Sequence, residues 1–227
     1  MPKLDARPTL ADHRDFLLKD YLAAPQELER TSGERHWRCE VRLDQRAEGS
    51  CVGNGFCHWY DAEPFPHTAG ESYARKIYEK ATEIDQFPGD WRSGQEGTDV
   101  RSGAKVMKMW GHISSYAFAK DAEESALWLL NHGPVVIGVP WFHSMDTPEG
   151  EYGYTPVDTR SGVRGWHCVA VLAVYWHGGK EDDWFYFRNS WGRDWGNDGG
   201  GRFTAKDFET LLNVPGAVVC TAVEKRR

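Results

Sequence analysis

The sequence contains few cysteines, and their number is odd. Among 227 residues only five are cysteine, and they lack the regular spacing of a disulfide framework: Cys39, Cys51, Cys57, Cys168 and Cys220. Disulfides form in oxidising compartments, where small domains usually carry an even and regularly spaced set. We therefore expect a protein without structural disulfides that works in the cytoplasm.

Long apolar runs are missing as well. No stretch approaches the ~20 apolar residues that a membrane-spanning helix requires, and residues 1–30 lack the apolar core of a secretory signal. The net charge of −7 disfavours nucleic acid, itself a polyanion, as a partner. Membranes and nucleic acids are thus not expected partners, and the oligomeric state stays open.

The sequence also lacks the residue spacings that are typical of metal ligands. The sequence has no CxxC pair and no HxxxH pair, the patterns in which cysteine and histidine commonly bind zinc. Cys57 and His58 are adjacent, but neighbouring side chains on a helix point about 100° apart and would not hold one ion. We expect no metal ion and no other cofactor.

The residues that are present describe a globular protein with a short extension. Hydrophobic residues make up 40% of the chain and aromatic residues 13%, enough for the core of one compact domain. We expect an N-terminal extension over residues 1–36 and a single domain over residues 37–227. The apolar stripe between Leu10 and Leu22 predicts a short helix that docks the extension by packing. A regulatory role for the extension is the alternative.

Helical patterns come first in the domain and strand patterns second. Apolar spacing predicts helices over residues 51–60, 71–84, 99–110 and 121–132, with Asp99 and Asp121 as N-caps. Clusters of β-branched and aromatic residues predict strands over residues 135–139, 167–175, 184–188, 201–204 and 218–223. This order predicts an α+β fold, with a helical half (about 45–132) packed on a half (about 133–223) that forms a bent antiparallel sheet or open barrel.

Four residues together indicate an acyl-transfer site. Cys51 should open a helix, where free N–H groups and the helix dipole stabilise the nucleophilic thiolate. Gln45, six residues upstream, could direct its amide at the group that the cysteine attacks. His167 heads a strand and could act as base, and Asn189 follows another strand and could orient it. Each residue alone has a simpler structural explanation, so the indication lies in their joint occurrence.

Four blocks that contain these residues resemble the papain-like cysteine peptidases. The blocks are Gln45 to Cys51 with Gly49-Ser50 before the nucleophile, Gly133-Pro134-Val135-Val136, His167, and Asn189-Ser190-Trp191-Gly192 with Trp195-Gly196. The resemblance implies the papain-like fold, with an active-site cleft between the helical half and the sheet half. It also implies hydrolysis of peptide bonds in a peptide or protein substrate.

The resemblance assigns a role to each matching residue. Cys51 would be the nucleophile, His167 would share its proton, and Asn189 would orient the imidazole. Gln45 would donate a hydrogen bond to the oxyanion, and Trp191 would shield the His–Asn pair from water. Cys51, His167, Asn189 and Gln45 are therefore the candidate catalytic residues.

Further residues are implied in substrate binding. Gly97 and Thr98 stand in the place of the family's paired glycines, which bind the substrate backbone along the cleft wall. Gly138 and Val139 align with the main specificity pocket opposite them. A glycine there suggests room for a bulky apolar side chain at the second residue before the cleaved bond. These four residues and Trp191 form the implied substrate-binding set.

Three departures from the family pattern have consequences. Glu48 and Val52 replace the cysteine and the aromatic residue that usually flank the nucleophile. His167 follows Cys51 more closely than the usual ~130–150 residues, so we expect shortened surface loops. The extension is too short to resemble the family's inhibitory prosegment. We expect the loop between Trp141 and Gly165 to border the cleft and to limit access instead.

Two functional classes remain open at this point. The first is a cysteine peptidase that uses the Cys-His-Asn set with a glutamine oxyanion donor. The second is a papain-like fold that serves as a binding or assembly protein with idle chemistry; a related acyl transferase or isopeptidase would use the same residues. Because no member of the catalytic set is missing, the sequence favours the peptidase.

Overall fold

The computed structural model describes residues 2–22, 28–94 and 96–223. This description leaves out residues 1 and 23–27 of the expected extension, residue 95 in a loop, and residues 224–227 of the C-terminal tail. The helices of the described residues are α1 (Cys51–Asp61), α2 (Gly70–Ile84), α3 (Val100–Met109), α4 (Ala122–Asn131) and α5 (Ala205–Leu212). The strands are β1 (Gly33–His36), β2 (Tyr116–Ala119), β3 (Val135–Phe142), β4 (Val163–Trp176), β5 (Trp184–Arg188), β6 (Gly200–Thr204) and β7 (Val218–Ala222).

All strands join in one antiparallel sheet that does not close into a barrel. The strand order is β2-β7-β3-β4-β5-β6, and β1 pairs with β4 as well. β4 is the longest strand and lies at the centre, where its neighbours fix the register of its first half. His167 pairs with Val139 of β3, and Ala170 pairs with Arg188 at the end of β5. This register brings the residue after β5, Asn189, close to His167.

The sheet has a hydrophobic core on each face. Because successive side chains of a strand point to opposite faces, Val135 and Ile137 of β3 pack into one core while Val136 packs into the other. Helices α1, α2 and α3 cover the second core, whereas α4 and α5 cover the first. The expected helical half therefore holds only three helices. The fourth, α4, was assigned to that half from the sequence and instead packs on the sheet half.

Local sequence signals place the helix starts as predicted. The carboxylate of Asp99 accepts from the N–H of Ser102 at 2.7 Å, and that of Asp121 from the N–H of Glu124 at 2.9 Å. Each cap satisfies a backbone donor that has no partner within its helix. These two contacts confirm the predicted N-caps of α3 and α4.

Helix α1 contains a glycine that its packing against α2 requires. A Cβ on Gly53 would lie 2.9 Å from the backbone nitrogen of Tyr78 and would meet the carbonyl of Ala74. A glycine within a helix costs about 1 kcal/mol relative to alanine. Here the glycine allows two helices to approach closely, and their contact fixes α1 and the cysteine at its start.

The extension does not form the predicted helix over Leu10 to Leu22. Residues 10–22, all described, contain one short 3-10 turn, Leu18–Asp20, and the chain just before this turn pairs with β2. The N–H of Phe118 donates to the carbonyl of Phe16 at 2.9 Å, and Leu17 bridges to Phe118. Backbone groups used in this way are unavailable to a helix. None of the three residues expected on the apolar stripe, Phe16, Leu17 and Tyr21, is fully buried, whereas Leu18 is.

Candidate active site

His167 and Asn189 form a buried hydrogen-bonded pair. Nε2 of His167 lies 2.7 Å from Oδ1 of Asn189, and both residues are buried. Because an amide oxygen can only accept, Nε2 carries the proton and Nδ1 of the neutral ring is the basic nitrogen. Nδ1 is buried and has no hydrogen-bond partner among the described residues. The imidazole is therefore held in the tautomer that leaves a free base.

The side chain of Gln45 is fixed in one orientation by Ser190. The hydroxyl of Ser190 donates to Oε1 of Gln45 at 2.7 Å, and the backbone N–H of Gln45 donates to the carbonyl of Ser190 at 2.8 Å. This arrangement directs the amide nitrogen away from Ser190. Nε2 donates to the carbonyl of Glu48 at 2.8 Å and to that of Lys3 at 3.0 Å. The Gln45 amide is thus a positioned donor that already binds one peptide carbonyl.

Cys51 is the first residue of α1 and lies against the strand that carries His167. The backbone N–H groups of Val52, Cys168 and Ala6 lie near its thiol and act to lower its pKa. Val52 is the next residue of α1, and Cys168 directly follows His167 in β4. The thiol therefore lies where the helix start meets the histidine strand, and no hydrogen bond joins it to Nδ1 of His167 in this structure.

A cluster of indole rings encloses the imidazole. The ring of Trp191 lies over His167, with centroids 4.9 Å apart and planes tilted by 32°. Trp141 meets His167 edge to face, also at 4.9 Å, and contacts Trp191 at 5.2 Å. Trp195 completes the cluster against both indoles. Trp191 is thus in the shielding position expected of it, and Trp141 adds a contact that the sequence did not reveal.

The cleft between the two halves is filled by the protein's own N-terminus. Residues 2–9, called here the cleft segment, run in extended form across it. The N–H of Ala6 donates to the carbonyl of Trp166 at 3.1 Å, and the N–H of Trp166 donates to the carbonyl of Leu4 at 3.3 Å. On the opposite wall the N–H of Arg7 donates to the carbonyl of Thr98 at 2.9 Å. The segment therefore binds both walls through its backbone, as an extended peptide would.

The cleft segment lies in an orientation that does not lead to its cleavage. Attack requires that the carbonyl carbon next to the thiol have its oxygen at the Gln45 amide. Instead, the Gln45 amide binds the carbonyl of Lys3, whereas the thiol faces the N–H of Ala6, three residues further on. The carbon bonded to that nitrogen is the carbonyl carbon of Asp5, and its oxygen lies against Gly97 instead of at the Gln45 amide. The segment occupies the site without presenting a bond to it.

Burial in this closed structure keeps Cys51 and His167 neutral. Both side chains have 0% exposure. Burial raises the pKa of Cys51 to about 12, against the lowering effect of the N–H groups on its thiol. Burial also lowers the pKa of His167 to about 4. The expected stabilised thiolate is therefore absent while the segment is in place, because desolvation outweighs the helix start.

Two of the implied substrate-binding residues line the path of the segment. Gly97 has a φ of +79°, and a Cβ there would coincide with the carbonyl of Asp5. Thr98 is buried, and its hydroxyl donates to Asp85 at 2.7 Å while its carbonyl binds Arg7. The wall therefore needs glycine at 97 for conformation and for space, and it binds extended backbone at 98.

The other two, Gly138 and Val139, do not form an open pocket. A Cβ on Gly138 would lie 2.6 Å from Cγ2 of Val100, so the space opposite the glycine is filled by that side chain. Val139 points to the opposite face of β3 and is fully buried in the core shared with Ile137. The room for a bulky side chain expected at Gly138 is absent from this structure, because α3 packs a branched residue against it.

The loop between Trp141 and Gly165 meets the cleft at both of its ends. It contains two 3-10 turns, His143–Asp146 and Thr159–Ser161. Gly165 contacts the cleft segment directly, since a Cβ there would lie 2.6 Å from Leu4. Asp146 of this loop pairs with Arg164 at 2.7 Å, so its acidic charge is neutralised.

Sequence reasoning missed several residues of the site. Ser190 lies within the recognised tryptophan block, and its bond to Gln45 had no signal beyond that position. The cleft segment had a weak signal, because Pro2 and Pro8 favour extended backbone at and before them.

Among the described residues no three His, Cys, Asp or Glu side chains cluster as a metal site would require. No described helix is long and apolar enough to cross a membrane, and all five cysteines are buried and unpaired.

Comparison with known proteins identifies the family. The model of the papain family of cysteine proteases matches residues 23–211, most of the chain. The chain therefore belongs to the papain family. No curated protein matches it significantly.

Solved structures with the same fold share little sequence with this chain. Xylellain, a cysteine protease from Xylella fastidiosa, superposes with a TM-score of 0.72 at 17% identity, covering 99% of this chain and 96% of that one. Digestive procathepsin L 3 of the Tenebrio molitor larval midgut gives 0.64 at 15% identity, with 93% and 75% covered. The recombinant stem bromelain precursor gives 0.63 at 12%, with 96% and 77% covered. At these identities the comparisons establish the papain-like fold alone.

Proposed function

We propose that this protein is a cysteine peptidase that hydrolyses peptide bonds with Cys51, His167, Asn189 and Gln45. The observation that carries the proposal is the bond from the Gln45 amide to the Lys3 carbonyl. It is an interaction with a peptide carbonyl, made by a side chain that Ser190 holds in place, in the cleft that contains the thiol. A site with idle chemistry has no need of an oriented donor there.

The reaction follows from the positions of these groups. When the cleft segment leaves, water reaches the thiol and the imidazole, and His167 Nδ1 can take the proton of Cys51. The thiolate attacks the carbonyl carbon of a bound peptide, and the oxyanion accepts from Gln45 Nε2 and from the backbone N–H of Cys51. His167 then protonates the leaving amine. It next activates a water molecule that hydrolyses the thioester and releases the thiol.

Asn189 supports this cycle without touching the substrate. Its Oδ1 holds the Nε2 proton of His167 and so leaves Nδ1 as the nitrogen that can accept the proton of the thiol. Trp191 and Trp141 exclude water from that hydrogen bond and strengthen it, because the bond lies in a medium of low polarity. The base therefore keeps one tautomer throughout the two proton transfers.

The test is a diverse peptide library read by mass spectrometry with the full-length chain. We expect cleaved products from the wild type, none from Cys51→Ala, and wild-type products from Cys57→Ala, which removes a buried cysteine of the same helix. Because the cleft segment limits access, the library is also run with Gly165→Ala, which displaces that segment. An intact library with both proteins would favour the binding or assembly function.

An isopeptidase or acyl transferase would use the same residues and differ in the acceptor. In the same assay an acyl transferase joins peptides, and the ligated masses distinguish it from a hydrolase. An isopeptidase cleaves only peptides that carry a branched bond to a lysine side chain. The library therefore separates these alternatives without a further variant.

A further inference from the structure

Arg164 is a largely buried cation beside the cleft that the proposed reaction does not use. Its side chain is 14% exposed. Nη1 donates to Oδ1 of Asp146 at 2.7 Å, and the guanidinium lies 5.6 Å from the ring centre of Trp191. Asp146 is itself fixed, because the indole N–H of Trp141 donates to its Oδ1 at 3.1 Å. Arg164 is therefore held rigidly next to the aromatic cluster that encloses His167.

The second arm of the guanidinium points into the cleft. Nη2 of Arg164 donates to the carbonyl of Pro2 at 2.8 Å. Every residue of a polypeptide has such a carbonyl, so this contact does not depend on a side chain. When the cleft segment leaves, Nη2 keeps its position, because Asp146 and Trp191 still hold the guanidinium. The donor then faces the open cleft in a fixed position, ready to bind a peptide that supplies a carbonyl at that point.

The contact lies on a defined side of the nucleophile. Residues 7–9 of the cleft segment bind at Thr98 and at Gly216, Ala6 lies at Cys51, and Pro2 lies at the opposite end of the segment. The resemblance implies that the wall at Gly97 and Thr98 binds the part of a substrate before the cleaved bond. The end of the cleft at Arg164 is thus the end that binds the part after it.

The geometry points to Arg164 as a substrate-binding residue that donates to a main-chain carbonyl of the peptide on the leaving side of the cleaved bond. This inference rests on the proposed peptidase function. It also distinguishes between two possible acceptors, a carbonyl and a terminal carboxylate. The charge of Arg164 is already neutralised by Asp146, and a second carboxylate beside Asp146 would be repelled by it. The site therefore suits a chain that continues, which is the substrate of an endopeptidase.

The test compares two substrates that share the part before the cleaved bond. The first ends in an aminocoumarin leaving group and has no residues after the bond. The second is an internally quenched peptide with three residues after the bond and an amidated C-terminus. We expect Arg164→Ala to lower kcat/KM for the quenched peptide about tenfold relative to kcat/KM for the aminocoumarin substrate. The release of Pro2 and the loss of a charge near His167 affect both substrates alike and cancel in this ratio. A tenfold loss corresponds to about 1.4 kcal/mol, which is the contribution of one hydrogen bond.

Arg164→Lys separates the forked donor from the charge. A single ammonium group cannot bind Asp146 and a carbonyl in the same geometry, so we expect it to show most of the loss. Arg160→Ala is the matched control, since Arg160 lies in the turn just before β4, pairs with Asp158 and is 89% exposed. It should leave both substrates unchanged. The full-length chain is used throughout, because occupancy by the cleft segment changes both substrates by the same factor.

Three results would overturn the inference. Equal losses for both substrates would mean that Arg164 acts only through the structure around His167. No loss for either would mean that it binds no substrate. A much larger loss for a peptide with a free C-terminal carboxylate than for its amide would assign the site to a chain end.

A wild type that cleaves neither substrate would refute the proposed function instead. Arg164 is then tested by binding, with fluorescence polarisation of a labelled peptide and the Cys51→Ala protein. Arg164→Ala should weaken binding of the longer peptide about tenfold relative to binding of a peptide that ends at the scissile position. An unchanged ratio of the two affinities would overturn the inference on its own.

Discussion

Displacement of the cleft segment should expose Cys51, and Gly165→Ala is the substitution that tests it. Gly165 lies in β4 with a φ outside the left-handed region, so alanine fits its backbone. The new Cβ would lie 2.6 Å from the Cβ and 2.6 Å from the carbonyl oxygen of Leu4. One of these atoms belongs to the backbone, so a rotation of the Leu4 side chain cannot relieve the contact. The segment itself must move.

The size of the effect follows from the cost of overpacking. Inserting one methyl group into a closely packed site costs about 1–3 kcal/mol, and this cost falls on the closed state alone. Each 1.4 kcal/mol is a tenfold change in an equilibrium. The open population should therefore rise roughly 5- to 150-fold. When closing is faster than the chemical step, the rate of Cys51 alkylation rises by the same factor.

The assay is alkylation of the full-length protein with iodoacetamide at constant pH, followed by peptide mass spectrometry. Gly133→Ala is the matched control, because the nearest atom to its Cβ would be 3.9 Å away, on Pro64. We expect faster labelling of Cys51 in Gly165→Ala and an unchanged rate in Gly133→Ala. Equal rates in the two variants, or a wild-type Cys51 as reactive as a free thiol, would refute the account of a cleft closed by residues 2–9.

Three further predictions concern the same site. Asp5 has a buried carboxylate oxygen without a partner. Burial together with the charge of Glu96 raises the pKa of Asp5, despite Lys3 and Arg7 nearby. Because this pKa is raised in the docked segment, docking is favoured at low pH and weakens as pH rises through that pKa. Asp5→Asn should therefore slow Cys51 alkylation at neutral pH and approach the wild-type rate near pH ~4, and a faster rate at neutral pH would contradict this sign. Gln45→Ala should lower kcat roughly 10²–10³-fold. Ser190→Ala should lower kcat less, because it only frees the Gln45 amide that the hydroxyl holds. A larger loss in Ser190→Ala than in Gln45→Ala would show that the hydroxyl acts directly. Asn189→Ala should keep measurable turnover whereas Cys51→Ala keeps none, with both proteins folded by circular dichroism, and complete loss in the first would mean that Asn189 does more than orient His167.

Much of the fold could be predicted because its signals are local. The cap of α3 at Asp99 and the strand over Trp184 to Arg188 are set by residues a few positions apart, and they appear as predicted. Where a distant contact competes with a local preference, the prediction fails. The apolar stripe of Leu10 to Leu22 indicates a helix, but the backbone around Phe16 pairs with β2 instead.

The candidate site shows the same division. Cys51, His167, Asn189 and Gln45 stood out from the sequence because their types and order are distinctive. Their protonation states could not be predicted from the sequence, because these depend on the parts of the chain that bury the side chains. From the sequence a helix start lowers the pKa of Cys51, whereas in the folded chain burial raises it to about 12. The position of Arg164 was likewise hidden, because its partners Asp146 and Pro2 are far from it in the chain.

The sequence by itself determined the family, the helices α1 to α4, the strands β3 to β7, and the four residues that we propose for acyl transfer. These properties are written in residue types, short spacings and local backbone preferences. Only the tertiary structure decided that the N-terminus fills the cleft, that Val100 closes the space at Gly138, and that Ser190 orients Gln45. Each of these is a contact between segments that lie far apart in the chain, and such contacts exist only once the two halves have packed together.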